Sequence, residues 1–238
     1  MLLELAEVLA CPRCGPPRNV VVVVHEQAGR RVREGFLGCP ACEARFPIRA
    51  GTVRMRAVPE GAEAGSDPQP QPEPAGEGAH PPAGGAEASL IAALIGHRGG
   101  GGVVLLGPGL EGAASALAGL LPGTEVVTLL TGDRPSETPV EALKGVPGGG
   151  GRTAEAAGAG VSRLEVASGE RLPVLDGRLL GVAAAGGLGP PPAEAARALC
   201  PGGRLVMLGP CGLAGSGWTD LSLERLAGDD RAVVARRV

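Results

Sequence analysis

The apolar positions of this chain follow two periods, separated by a stretch that follows neither. Leu2, Leu5, Val8 and Leu9 recur at helical intervals with Glu4 and Glu7 on another face, which predicts a short helix at the start. Asn19 to His25 and Arg31 to Leu37 read as two strands joined through Gln27-Ala28-Gly29-Arg30, and Phe46 to Gly51 with Thr52 to Met55 as a second, shorter pair. Beyond residue 88, strands and helices alternate. Leu90 to His97 predicts a helix, Val103 to Leu106 a buried strand, the Ala/Leu run to Leu121 a helix, and Glu125 to Leu130 the next strand. Ser162 to Ala167, Leu179 to Ala185, Gly203 to Leu208 and Ala232 to Arg236 continue the strands, with Pro192 to Leu199 as the clearest later helix. This order predicts an α/β fold with a mostly parallel sheet covered on both faces, and any ligand at the carboxyl ends of its first strands.

The stretch without a period, Pro59 to Ala88, reads PEGAEAGSDPQPQPEPAGEGAHPPAGGAEA. It has acidic residues, no Lys or Arg and almost no large apolar side chain, so it predicts a disordered acidic linker in which His80 is simply solvated. The chain then divides into a small unit at 1–58, a linker at 59–88 and an α/β unit at 89–238. Random-coil scaling gives such a linker a span of roughly 30 Å, which leaves the two units loosely tethered unless they dock through surfaces of their own.

Composition changes this picture in three ways. Hydrophobic residues make up 44% of the 238, but there is no Tyr, two Phe and one Trp, so Ala, Val and Leu must do the packing. The same scarcity removes the platforms on which nucleobases stack. A net charge of −3 gives no global attraction to nucleic acid. No apolar run approaches the ~20 residues needed to cross a bilayer, and Met1-Leu2-Leu3-Glu4 lacks the basic start of a signal peptide, so the expectation is a cytoplasmic protein with no membrane partner.

The sharpest chemistry lies in four cysteines, Cys11-Pro12-Arg13-Cys14 and Cys39-Pro40-Ala41-Cys42. A C-x-x-C turn folds two thiolates toward one point, and two such turns supply the four ligands of a closed tetrahedral Zn²⁺ site. Disulfides would need an oxidising compartment, and a redox motif would need only one pair. The expected metal is therefore structural zinc on Cys11, Cys14, Cys39 and Cys42, with His25 left as a strand-end surface residue. A unit this small depends on its metal to fold. It also carries nine Arg against five Glu, with Arg30, Arg31, Arg33, Arg45, Arg49, Arg54 and Arg56 prominent. An RNA-facing patch is one reading of that surplus; a solvated hairpin face is the other.

The runs LLELAEVLACPRCG and GCPACEARFPIRAGTVRM resemble the small bacterial zinc-ribbon family related to the activator subunit of tRNA and rRNA methyltransferases. Cys11, Cys14, Cys39, Cys42, Pro47, Ile48, Arg49 and Gly51 match its pattern, while Phe46 stands for the usual Tyr and Arg54 where Pro is common. The resemblance implies a module that binds a protein partner, a methyltransferase or RNA-modifying machinery, by covering its apolar surface.

In the second unit, Gly107-Pro108-Gly109-Leu110-Glu111-Gly112 is a formal G-x-G-x-x-G between a strand and a helix, a tight turn that lets backbone N–H groups approach a ligand. Residues 167–177, ASGERLPVLDG, and 195–206, AARALCPGGRLV, resemble in order and spacing two segments of class I S-adenosylmethionine-dependent methyltransferases. The resemblance implies a Rossmann-like methyltransferase fold with Gly107, Gly109 and Gly112 at the cofactor. Its acids are missing. Leu105 stands before the glycine turn and Leu130 at the end of the second strand, where carboxylates hold the cofactor, and Leu180 or Ala183 to Ala185 replace a third polar position. Asp133, three residues past Leu130, substitutes only if its loop bends back; Ser168 offers a hydroxyl in place of a carboxylate.

Other candidates have structural readings: Asp176 as a turn, Cys200 and Cys211 as core or turn cysteines, His97 as a helix cap, Trp218 as packing. Three functions follow. The first is a zinc-binding scaffold or regulatory protein, a pseudoenzyme whose methyltransferase-like domain binds S-adenosylmethionine weakly. The second is an active methyltransferase with a divergent site that uses Asp133 or Glu125 for the ribose. The third, a nicotinamide oxidoreductase, rests on the bare glycine pattern and lacks the usual Tyr.

Overall fold

The computed structural model describes residues 1–55, 84–96, 100–131, 160–166, 171–185, 188–209, 220–225 and 232–238. In chain order these form β1 (Val21–Ala28), β2 (Arg31–Gly38), β3 (Arg45–Arg49), β4 (Thr52–Arg54), α1 (Gly84–Ile95), β5 (Val103–Leu106), α2 (Ala114–Leu120) and β6 (Glu125–Thr131). There follow β7 (Val161–Val166), β8 (Leu179–Ala185), α3 (Pro192–Ala198), β9 (Leu199–Leu208), β10 (Leu221–Arg225) and β11 (Ala232–Arg237).

All these strands join one sheet in the order β1-β2-β3-β4-β7-β6-β5-β8-β9-β11-β10. Every pairing from β7 to β9 is parallel, and β11 runs antiparallel between β9 and β10. Numbered within the second unit, β7-β6-β5-β8-β9 is the 3-2-1-4-5 order of a doubly wound sheet. This is a Rossmann-like doubly wound fold, with its switch point between β5 and β8.

The strands are apolar on both sides because both sides are covered. Val103 and Leu105 of β5 pack on the face that takes Ala195, Ala196 and Ala198 of α3. Val104 and Leu106 pack on the opposite face against Ile91, Leu94 and Ile95 of α1 and Leu117 of α2. Helix α3 has Pro at its first position, where the missing N–H is no loss.

The first four strands are continuous with this sheet. Thr52, Val53 and Arg54 of β4 pair in parallel with Arg163, Leu164 and Glu165 of β7, and the Met55 N–H donates to the Glu165 carbonyl at 2.8 Å. A second seam lies on Val8–Ala10: the Ala10 N–H donates to the Pro173 carbonyl at 3.0 Å, and the Leu175 N–H to the Val8 carbonyl at 2.8 Å. Phe46, Ile48 and Leu37 share one core with Leu164, Leu172 and Val174. The two units therefore dock through surfaces of their own, by strand pairing and a common apolar core.

Several elements differ from the sequence reading. The start is a 3₁₀ turn, Leu3–Glu7, in place of an α-helix, because Leu9 and Ala10 turn away to bridge Val174 and Asn19. Helix α1 begins at Gly84, inside the Pro/Gly-rich stretch, whose residues 59–83 lie outside the described residues. Strand β9 begins at Leu199, ahead of Pro201-Gly202, and its register on β8 jumps at that point. Strand β10, with its mixed Leu221-Ser222-Leu223-Glu224-Arg225, escaped the period search altogether.

Candidate metal centre and cofactor turn

Each cysteine pair sits on a closed turn. The Gly15 N–H donates to the Cys11 carbonyl at 2.8 Å, and the Glu43 N–H to the Cys39 carbonyl at 2.9 Å. Gly15 has a φ of 70°, and a Cβ there would stand 2.8 Å from the Arg171 guanidinium. The Arg171 guanidinium thus lies over the first cysteine turn.

The four Sγ atoms lie within 4.8 Å of one another. Cys11 Sγ is 3.7 Å from Cys42 Sγ, and Cys14 Sγ 3.9 Å from Cys39 Sγ. Tetrahedral ligands at about 2.3 Å from Zn²⁺ stand about 3.8 Å apart, which these two separations match. All four thiols are free, with Cys11 and Cys39 buried and Cys14 at the surface. Hydrogen bonding, first with the Cys42 thiol, pushes Cys14 up to about 12. Burial pushes Cys39 the other way from its final position; the Cys42 and Ala41 N–H groups and neighbouring thiols outweigh it and bring Cys39 down to about 7. Because a metal takes thiolates as ligands, its binding must displace protons from the raised Cys11 and Cys14 thiols. His25 packs edge-on against Phe36, with ring centroids 5.8 Å apart.

In the second unit, the glycine turn follows β5 at the switch point, where a Rossmann-like fold binds its ligand. Gly107 is buried, its N–H donates to the Ala183 carbonyl at 2.7 Å, and a Cβ there would stand 3.1 Å from the Ala184 Cβ. Its glycine lets β5 and β8 close on each other. Gly109, with a φ of 89°, donates its N–H to both carboxylate oxygens of Glu111, at 3.1 and 3.0 Å. Gly112 is exposed with open space around it. Two of the three glycine N–H groups therefore already have partners inside the chain.

No carboxylate stands at the ends of β6 and β8 among the described residues. Leu130 is half-buried at the end of β6, and β8 ends in Ala183-Ala184-Ala185. Leu105 is 1% exposed and sits in the core on the α3 face, so it does not front a cleft. Glu125 opens β6 at its amino end, away from any ribose at the switch point. Asp133 lies outside the described residues, as do His80, His97, Ser168, Cys211 and Trp218.

Two polar clusters carry no sequence motif and were missed. Arg197 donates to the Val174 carbonyl at 2.7 Å and the Leu172 carbonyl at 3.0 Å, and pairs with Glu194 at 2.8 Å and Asp176 at 2.6 Å. That makes Asp176 the counter-charge of a turn, and Cys200 is the second residue of β9. Glu125, 6% exposed, accepts a hydrogen bond from the Ser162 hydroxyl and stands 3.7 Å from the Arg31 guanidinium across the junction of the two units. Burial pushes the Glu125 carboxyl up from the ordinary range. Long-range pairs of this kind leave no local spacing to read.

No family model matches the chain, and no curated protein matches it. Solved structures similar to it include a Bacillus halodurans protein provisionally named a methyltransferase, 20% identical over 52% of this chain and 51% of the other, with a TM-score of 0.34. The antibiotic-resistance methyltransferase Kmr is 15% identical over 63% of this chain and 92% of its own, with a TM-score of 0.41. Haemonchus contortus phosphoethanolamine N-methyltransferase 2, solved with S-adenosylmethionine, is 18% identical over 56% of this chain and 30% of its own, with a TM-score of 0.36. The chain thus spans about half the length of the first of these and less of the last. The fold assignment rests on the strand order. Among the described residues no helix is long and apolar enough to cross a membrane.

Proposed function

We propose that this protein is a zinc-binding scaffold or regulatory protein whose methyltransferase-like half is disarmed, and that it works with a partner enzyme or RNA-modifying complex. The observation that carries the reading is the state of the glycine turn. Its Gly109 N–H is held by the chain's own Glu111, while Leu130 and Ala183 to Ala185 stand at the strand ends where a cofactor needs carboxylates. A hydrogen bond to a charged group contributes ~1.5–3 kcal/mol, so two missing contacts weaken S-adenosylmethionine binding by roughly 10²–10⁴-fold. The four-cysteine cage supports structural zinc, and the resemblance of residues 1–56 to methyltransferase activators supports a protein partner.

The test is isothermal titration with S-adenosylmethionine and its demethylated product. Binding weaker than about 100 µM is expected, and Leu130→Asp, which adds a carboxylate at the end of β6, should strengthen it about tenfold. Low-micromolar binding by the unmodified chain would instead support a second reading, an active methyltransferase, which the placement of the glycine turn at the switch point favours.

A further inference from the structure

A cleft of about 340 Å³ opens where the ribbon strands meet the second unit. Arg31 and Arg33 of β2, Arg163 of β7, Thr52 of β4, Ser115 of α2 and Met1 line it, and among the described residues no Asp or Glu does. Strand alternation puts the cations there. Val32 and Leu164 point into the core, which turns Arg33 and Arg163 outward, and Thr52 lies directly beside Arg163 in the β4–β7 pair. No residue of the Gly107–Gly112 turn takes part.

The three guanidinium groups differ in a useful way. Arg31 is fixed: it donates to the Val161 carbonyl at 3.0 Å, faces Glu125 at 3.7 Å, and lies over Gly160, where a Cβ would collide with it. Arg33 and Arg163 are exposed and have no carboxylate partner among the described residues. Cations brought together from β2 and β7 without a lining acid repel one another until an anion enters. Planar forks beside Thr and Ser hydroxyls match phosphate oxygens. Among the described residues no aromatic side chain lines the cleft, so they offer nothing on which to stack an unpaired base.

We propose that this cleft binds the phosphodiester backbone of a double-stranded nucleic acid. It gives the partner side of the proposed function a chemical class, yet it stands on the junction alone and does not depend on the state of the cofactor turn. An RNA duplex and a DNA duplex share the phosphate chemistry, and the experiment separates them.

The experiment is fluorescence anisotropy of the full zinc-loaded chain with labelled RNA and DNA duplexes of equal length at about 50 and 200 mM salt, a range over which phosphate contacts lose strength steeply. The wild-type chain should bind at least one duplex, and Arg33→Glu with Arg163→Glu should weaken that binding at least tenfold and lower the salt slope by about 2. Arg236→Glu, an exposed charge on β11, should change it less than about twofold, which separates the cleft from net charge. Both altered positions are solvent-exposed, so an unchanged melting curve and zinc content confirm that the fold persists. Whichever duplex binds more tightly names the source. Binding of neither duplex, equal binding by the double variant, or a cleft that takes pyrophosphate while refusing both duplexes would overturn the proposal, as would equal displacement of duplex by polyglutamate.

Discussion

The cysteine cage and the glycine turn are both tight turns that aim groups at one point, yet they end in opposite states. The cage converges four side chains, two from each turn, to sulfur separations of 3.7 and 3.9 Å. The glycine turn converges backbone N–H groups, and the chain itself takes them, through Ala183 at Gly107 and Glu111 at Gly109. Backbone donors are satisfied by whatever acceptor is nearest, so a turn can keep its shape after its ligand contacts are gone.

The strongest way to break this comparison is to empty the cage. Cys39→Ser with Cys42→Ser should abolish the expected one zinc per chain, measured by elemental analysis, and metal binding worth ~10–16 kcal/mol in zinc-finger peptides is then missing from the ribbon. Because β4 pairs with β7 and both units share one core, calorimetry should show the second unit destabilised as well. A thermal transition for residues beyond 88 that stays where it was would mean that the seam contributes nothing.

A smaller effect should follow from Arg197→Ala. That side chain holds the Leu172 and Val174 carbonyls, next to the Pro173–Leu175 seam and to the Arg171 that packs on Gly15. Leaving those acceptors without a donor costs about 2–3 kcal/mol, read as a lower denaturant midpoint. A midpoint within error of wild type would show that the cage does not need this brace.

The smallest effect concerns pH. Burial raises the Glu125 carboxyl above its unfolded value, so between the two values the folded state holds the extra proton. Stability should therefore fall as pH rises through a window that opens near 4.5. Chemical denaturation across that window should lose this component of slope in Glu125→Gln. An identical slope in the variant would count against Glu125 as its source.

The four-cysteine cluster was legible because C-x-x-C spacing is local, and β5, β6 and β8 were legible because a buried parallel strand is an unbroken apolar run. What escaped was non-local. The β4–β7 pairing joins Thr52 to Arg163, and no period in either segment announces it. Helix α1 extends into Gly84-Gly85-Ala86-Glu87, a poor helix-forming stretch, because Ala88 and Ile91 are buried against the sheet and tertiary packing overrides propensity. Leu105 was expected at a cleft and is in the core, because strand alternation gives the ligand end to the turn that follows β5.

That β4–β7 pairing also sets a sequence of events during synthesis. The ribbon leaves the ribosome first and has its four cysteines by residue 42, but the edge of β4 has no partner until residue 166 has been made. At 5–20 residues per second, that interval lasts on the order of ten seconds. Through it the nascent ribbon presents an unpaired strand with apolar Val53 and Met55 beside it, a template for association with other chains. Early metal capture would fix the ribbon's shape while it waits, so zinc shortage should show first as aggregation of unfinished chains, before any loss from the finished protein.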